Sequence, residues 1–175
     1  MVFKLVGDEI SSPPFVSQLE HDETVARILL DLKKAGVIQS FTTEMELKRE
    51  IKEKQRYDGS VKMKYPDAII EVSGPMTKIK VALELELTRK DPKRYRQCLN
   101  TYAARREVSQ VVFIARANAV FDSLRRAMRE TYYPDWERPI GFSPLEEWKR
   151  NPAEAAICFS ETQTSLRSIH KKMNS

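Results

Sequence analysis

Histidine is scarce in this chain: His21 and His170 are the only two in 175 residues. Histidine-rich chemistry is thereby excluded, and no Cys/His run has the spacing of a zinc site. Also missing are a Walker-type phosphate loop, a dinucleotide-binding glycine pattern and a Ser-His-Asp candidate set. Cysteine is just as rare. Cys98, in a helical pattern, and Cys158, in an apolar run, read as buried free thiols of a reducing compartment. No apolar run approaches membrane-spanning length, and the first residues lack the cationic-then-apolar order of a signal peptide. The expectation is a cytoplasmic protein with no membrane partner.

What is present is a globular composition, 41% hydrophobic and 31% charged, at a length that suits one domain with a full core. Residues 1–175 are therefore read as one unit. An N-terminal arm covers 1–16, a long proline- and aromatic-rich loop with one helical turn near Leu145 covers 133–152, and a polar tail, helical or frayed, covers 162–175. The net charge of +5 is unevenly placed, with Arg89, Lys90, Lys93, Arg94, Arg96, Arg105 and Arg106 crowded together. Such a cluster is either a surface for a phosphodiester or a solvated helix face.

Those cations follow the most informative stretch. Val81, Leu83, Leu85 and Leu87 alternate with Ala82, Glu84, Glu86 and Thr88, the period of a strand with one apolar face and one carboxylate face. Ahead of it, Asp67, Ile69 and Glu71 alternate with Ala68, Ile70 and Val72, and Ser73-Gly74-Pro75 supplies turn chemistry between the two runs. A hairpin would bring Asp67 near Glu84 and Glu86. Three such carboxylates suit a hard divalent cation, Mg²⁺ or Mn²⁺.

Around the hairpin, Val25, Ile28, Leu29 and Leu32 predict a helix from Ser17, with Gly36 as its C-cap. Val37–Thr42 reads as a strand, and Thr43 with Glu46 as the capping box of a helix reaching Lys54. Pro92 opens a helix carrying Tyr95, Cys98, Leu99 and Tyr102, and Gln110–Ala115 is a strand covered on both faces. Asn118 would cap a helix bearing Val120 and Leu124, and Ala155–Phe159 is a last short strand. This order predicts an α/β fold with a mixed sheet and helices on both faces.

The order of elements, with Pro66-Asp67 opening one strand and Glu84-Leu85-Glu86 in the next, resembles the PD-(D/E)xK nuclease superfamily, whose fold is restriction-endonuclease-like. From Leu19 onward the chain is similar, more narrowly, to the replication-relaxation proteins of plasmids and other mobile elements. The carrying residues are His21, Phe41-Thr42-Thr43-Glu44, Tyr65-Pro66-Asp67-Ala68, Glu84-Leu85-Glu86-Leu87-Thr88, Lys93-Arg94-Tyr95 and Tyr102. The superfamily usually has lysine where Glu86 stands, and Lys90 lies four residues beyond it. The winged-helix part that such proteins tend to carry upstream has no counterpart expected here.

The resemblance implies a metal-dependent DNA endonuclease or nicking enzyme of mobile-element replication or mobilisation. Asp67 and Glu84 would hold Mg²⁺ or Mn²⁺, Glu86 would be a further ligand or the general base, and Lys90 would stabilise the transition state. Glu23, or failing that Glu20, would add a carboxylate from the first helix. Arg89, Lys93, Arg94, Arg96 and Arg105 would contact DNA. A homodimer, or other replication or mobilisation proteins, are further partners it implies. The alternatives are a non-catalytic DNA-binding regulator on the same fold and an interaction domain that pairs through its hairpin edge. His21 is either a partner at the mouth of the site or a helix-cap histidine. Tyr95 and Tyr102 either stack on a nucleobase or fill the core, and Trp136 and Trp148 sit in the long loop as candidate DNA contacts.

Overall fold

The computed structural model describes residues 14–55, 64–131, 139–160 and 162–175. The chain opens with helix α1, Pro14–Lys34, whose end follows from one glycine. Gly36 takes φ of 66°, which a side chain would resist, and lets two backbone donors fold back. Its N–H reaches Lys33 at 3.1 Å and that of Val37 reaches Leu32 at 3.3 Å, satisfying carbonyls left open by the last turn. Strand β1, Ser40–Thr43, then runs directly into α2, Glu44–Gln55. The capping box forms in both directions: the Thr43 N–H donates to Glu46 (2.8 Å) and the Glu46 N–H to the Thr43 hydroxyl (3.4 Å).

Strands β2, Ala68–Ser73, and β3, Lys78–Glu86, form the expected antiparallel hairpin, with Ala68 opposite Leu83 and Ser73 opposite Lys78. Helix α3, Pro92–Ala104, starts where proline fits the first turn, and Asp91 caps it by accepting from the Lys93 N–H at 2.7 Å. It crosses over to β4, Gln110–Ala115, which lies parallel to β3. Helix α4, Asn118–Glu130, leads to β5, Ile140–Pro144, parallel to β4. Helix α5, Leu145–Arg150, the short strands β6, Ile157–Cys158, and β7, Gln163–Thr164, and helix α6, Leu166–Asn174, complete the chain.

The seven strands form one mixed sheet in the order of the sequence, β1 through β7. Period-two alternation divides its side chains between two cores. Val81, Leu83, Leu85, Val112 and Ile114 pack under α1 together with Trp148 of α5 and Leu166 of α6. On the other face Ala82, Val111 and Phe113 pack under Leu99 and Tyr102 of α3 and Leu124 of α4. Glu84 and Glu86 belong to this second face by parity, and both are buried. Two carboxylates stand where apolar packing is the rule.

Several expectations shift. Helix α1 begins at Pro14, so His21 lies inside it and not ahead of it. Ala117, not Asn118, occupies the N-cap of α4, and its backbone is capped without a side chain. Of the segment 133–152, residues 139–152 contain β5 and α5; the part from 132 to 138, Trp136 included, falls outside the described residues, as does the N-terminal arm to residue 13. Trp148 is core, with its indole N–H donating to the Ser143 hydroxyl at 2.6 Å, and is closed to DNA. Cys98 is a buried thiol as expected, whereas Cys158 is exposed, because the two-residue strand β6 turns its side chain outward. The tail holds a strand and a helix because Ser165 caps α6 through the Ser168 N–H (3.2 Å) and Leu166 docks in the core.

Candidate functional site

Parity puts the two glutamates of β3 beneath α3, and each meets one lysine. Lys64, just before Pro66-Asp67, places its Nζ 2.6 Å from Glu84 Oε2 and 3.1 Å from Cys98 Sγ. Lys90, in the turn after β3, places its Nζ 2.8 Å from Glu86 Oε1. The Tyr102 hydroxyl donates to the other oxygen of Glu84. Tyr95 anchors the Lys90 turn by accepting its backbone N–H at 3.0 Å. Both tyrosines are core residues of α3, with their ring bodies in apolar contact and their hydroxyls turned to this polar cluster.

Burial dominates the electrostatics. It raises the pKa of Glu84 and of Glu86 above the usual carboxylate range, although Lys64 and Lys90 pull each of them down. Asp67 adds a smaller upward push to both, which places its charge within electrical reach of the pair. Burial likewise raises the Cys98 thiol, so this cysteine is a neutral packing group. Lys64 is held well above the ordinary lysine value; burial works against its charge, and the facing Glu84 outweighs it. Lys64 therefore stands as the charged partner of Glu84.

Asp67 lies just ahead of β2. Its Oδ2 accepts the Leu85 backbone N–H at 2.6 Å, which fixes the carboxylate against β3. From α1, His21 brings Nε2 to 3.3 Å from the same oxygen. His21 thus sits within α1, bonded to a carboxylate and, at 3.3 Å, to the Leu85 backbone carbonyl, and is not a helix cap. Lys90, Lys64 and Glu86 line a cleft of about 630 Å³ together with Arg94, Gln97 and Thr101. Glu86 Oε2 is buried and, among the described residues, has no hydrogen-bond partner.

That orphaned oxygen is the kind of donor a divalent cation takes, with Glu84 two residues before it on the same face of β3, whereas Asp67 lines a separate hollow with His21. Among the described residues no three Asp, Glu, His or Cys side chains stand as a ready-made metal cluster. Lys64, Tyr102 and Lys90 hold the other glutamate oxygens.

The remaining predicted residues separate into two groups. Arg89, Lys93 and Arg94 are exposed and make no ion pair among the described residues, and Arg94 reaches the cleft. Arg96 is committed to Glu130 at 2.7 Å. Arg105 is buried, stacks over Tyr65 with its guanidinium 5.3 Å from the ring centre, and pairs with Glu107 at 3.1 Å. Burial removes it from any DNA surface. Glu23 pairs with Arg27 at 3.2 Å in a hollow it shares with Trp148 and Lys149, and is not brought to the other carboxylates. Glu20 pairs with Arg116.

Lys64 is the site residue that motif spacing missed. Its only signal was a lysine three positions ahead of Asp67, in a stretch without periodicity. Compared with protein-family models, curated proteins and solved structures, the chain gives no match.

Proposed function

We propose that this chain is a divalent-metal-dependent DNA endonuclease or nicking enzyme of the PD-(D/E)xK superfamily, with a restriction-endonuclease-like fold and a role in mobile-element replication or mobilisation. The observation that carries the reading is Glu86 Oε2, a buried carboxylate oxygen without a partner on the floor of a cleft lined by Lys64, Lys90 and Arg94. The arrangement of α1, the antiparallel β1-β2-β3 set and a helical crossover into a parallel β4 supports the same fold.

Asp67, Glu84 and Glu86 would hold Mg²⁺ or Mn²⁺, which when bound supplies Lewis acidity toward a phosphodiester and acidifies a water. In the alternative role, with Asp67 and Glu84 alone as ligands, Glu86, its pKa raised by burial, would accept that water's proton. Lys90 stands beside it to offset negative charge developing on the phosphate. Arg94 at the cleft, with the exposed Arg89 and Lys93, draws the nucleic-acid backbone toward the acids.

A second reading has its own observation. Three of the four glutamate oxygens are already engaged by Lys64, Tyr102 and Lys90, as in a site that has lost turnover and binds DNA only. A thermal melt with and without Mn²⁺ separates the two. The nuclease reading expects an upward shift in Tm that disappears in Glu86→Gln, because a ligand bound only by the folded state stabilises it. Salt-sensitive DNA binding with no Mn²⁺ shift favours the regulator.

A further inference from the structure

We propose that the outer face of α1 is a self-association surface, through which two copies of this chain pair antiparallel about a two-fold axis near the middle of the helix. The inference is independent of the chemistry assigned to the cleft.

A helix that covers a sheet needs one apolar stripe, and α1 has two. Ile28, Leu29 and Leu32 are buried, with Val25 packed against the same core. At about 100° per residue, Val16, Leu19, Ala26 and Leu30 fall on the opposite side of the helix, within an arc of about 80°. Val16 is 58% exposed, Leu19 68% and Leu30 53%. Ala26 is exposed as well, and between Val16 and Leu30 this arc holds one charged residue, Glu23. Met45, in the first turn of α2, is 72% exposed and shares a hollow with Ala26 at the edge of the stripe. Single exposed leucines are ordinary, but a stripe running the length of a helix marks an interface.

Charge selects a second copy as the occupant, and selects its direction. The first half of α1 carries Glu20, Asp22 and Glu23, and the second half carries Arg27, Lys33 and Lys34 against Asp31. A parallel pair would set acids on acids and bases on bases. An antiparallel pair lays each acidic half on the other copy's basic half.

The same arrangement brings the apolar residues together. With the axis between Glu23 and Ala26, Leu19 lies opposite Leu30 of the partner subunit, and Glu23 lies beside Arg27 of the partner subunit. Glu23 and Arg27 already pair within one helix at 3.2 Å, with side chains 67% and 65% exposed, so both remain open to a second partner. A two-fold axis makes each of these contacts twice, as an isologous interface requires.

The size of the surface sets its strength. A helix of 21 residues is about 30 Å long, and one face about 10 Å wide covers roughly 300 Å², below the ~800 Å² per partner of a tight complex. A dissociation constant on the order of 10–100 µM is therefore expected. Helix α1 packs on one face of the sheet and α3, which covers the glutamates, on the other. Pairing through α1 thus leaves the cleft beside α3 open in both copies.

Sedimentation equilibrium of the full chain, from about 1 to 300 µM, tests the surface, a range that brackets the expected constant. Wild type should pass from monomer to dimer, and Leu19→Glu and Leu30→Glu should stay monomeric with unchanged circular dichroism and Tm, since neither side chain is in the core. Direction is tested by a short bis-maleimide in a Cys158→Ser background, because Cys158 is the exposed native thiol. Mixed Leu19→Cys and Leu30→Cys proteins should cross-link to each other and hardly to themselves, as like positions lie about 16 Å apart along the axis. Should the glutamate variants unfold, the cross-linking decides alone. A wild type that stays monomeric throughout overturns the proposal, whatever else covers the stripe. A dimer that both glutamate variants leave intact also overturns it, because another surface then makes the contact. Cross-links between like positions, Leu19→Cys to Leu19→Cys, overturn the antiparallel arrangement.

Discussion

His21 Nε2 lies 3.3 Å from Asp67 Oδ2 and 3.3 Å from the Leu85 carbonyl oxygen, so one imidazole ties α1 to both acid-bearing strands. Its other nitrogen lies 3.2 Å from Asp22 Oδ1. Both nitrogens face acceptors, and the arrangement suits an imidazolium. Burial opposes that charge, but the hydrogen bond and charge of Asp67 prevail and raise the pKa to about 9.

A pH dependence of stability follows. A folded pKa above the unfolded value of 6.5 means that the contribution is complete below about pH 6.5 and is lost as pH rises through about 9. The amount is on the order of 1–3 kcal/mol for a partly exposed group. Urea unfolding of wild type and His21→Gln at several pH values checks it. The two stabilities should converge toward pH 9 and above; a constant gap across that window contradicts the imidazolium.

The Tyr102 hydroxyl donates to a carboxylate that has no access to solvent. Tyr102→Phe keeps the ring against Phe113 and leaves that glutamate oxygen with the Cys98 thiol, a weak donor at 3.8 Å. A loss of about 1–3 kcal/mol is expected, the usual cost of stranding a buried acceptor. An unchanged denaturation midpoint would mean that the hydroxyl is not needed to hold Glu84.

Gly74, in the turn between β2 and β3, admits the end of α6. A Cβ there would stand 2.1 Å from the Met173 carbonyl oxygen, a backbone atom that cannot step aside as a side chain can. Gly74→Ala should therefore lift α6 off the hairpin, at about 1–3 kcal/mol for an overpacked contact. Amide exchange that speeds up across 166–174 and not in α3 is the expected signature. Uniform acceleration over the whole chain argues against a local contact.

Among the cations, position decides the role. Arg94→Ala should weaken DNA binding and lower the slope of log affinity against log salt by about 1, the value for one phosphate contact. Arg105→Met should leave that slope unchanged and cost stability, since Arg105 is locked over Tyr65 and against Glu107. Equal slope changes in the two variants would mean that burial does not sort them.

How much of this was written in the sequence depends on how far apart the partners lie. The alternation of Glu84 and Glu86 with Leu83 and Leu85 announced a strand and a carboxylate face, because strand parity is local. Thr43 with Glu46, and Pro92, announced two helix starts for the same reason. Parity alone could not say that the carboxylate face would be buried; α3 does that, and its cover appears only in three dimensions. The Lys64–Glu84 pair spans 20 residues and the His21–Leu85 contact 64, beyond any local period. The proline- and aromatic-rich run looked like loop with one helical turn near Leu145, which α5 matches; what was not legible is β5, where Phe142 stacks on Phe113 and tertiary packing makes a strand.

The most direct test of the central claim is cleavage of supercoiled plasmid with Mg²⁺ or Mn²⁺, with wild type beside Glu86→Gln and Glu84→Gln. Nicking or linearisation by wild type that both variants abolish, while remaining folded, is the predicted result. Plasmid retarded but uncut, equally by all the proteins, would contradict the nuclease and leave a DNA-binding protein built around a neutralised acidic site.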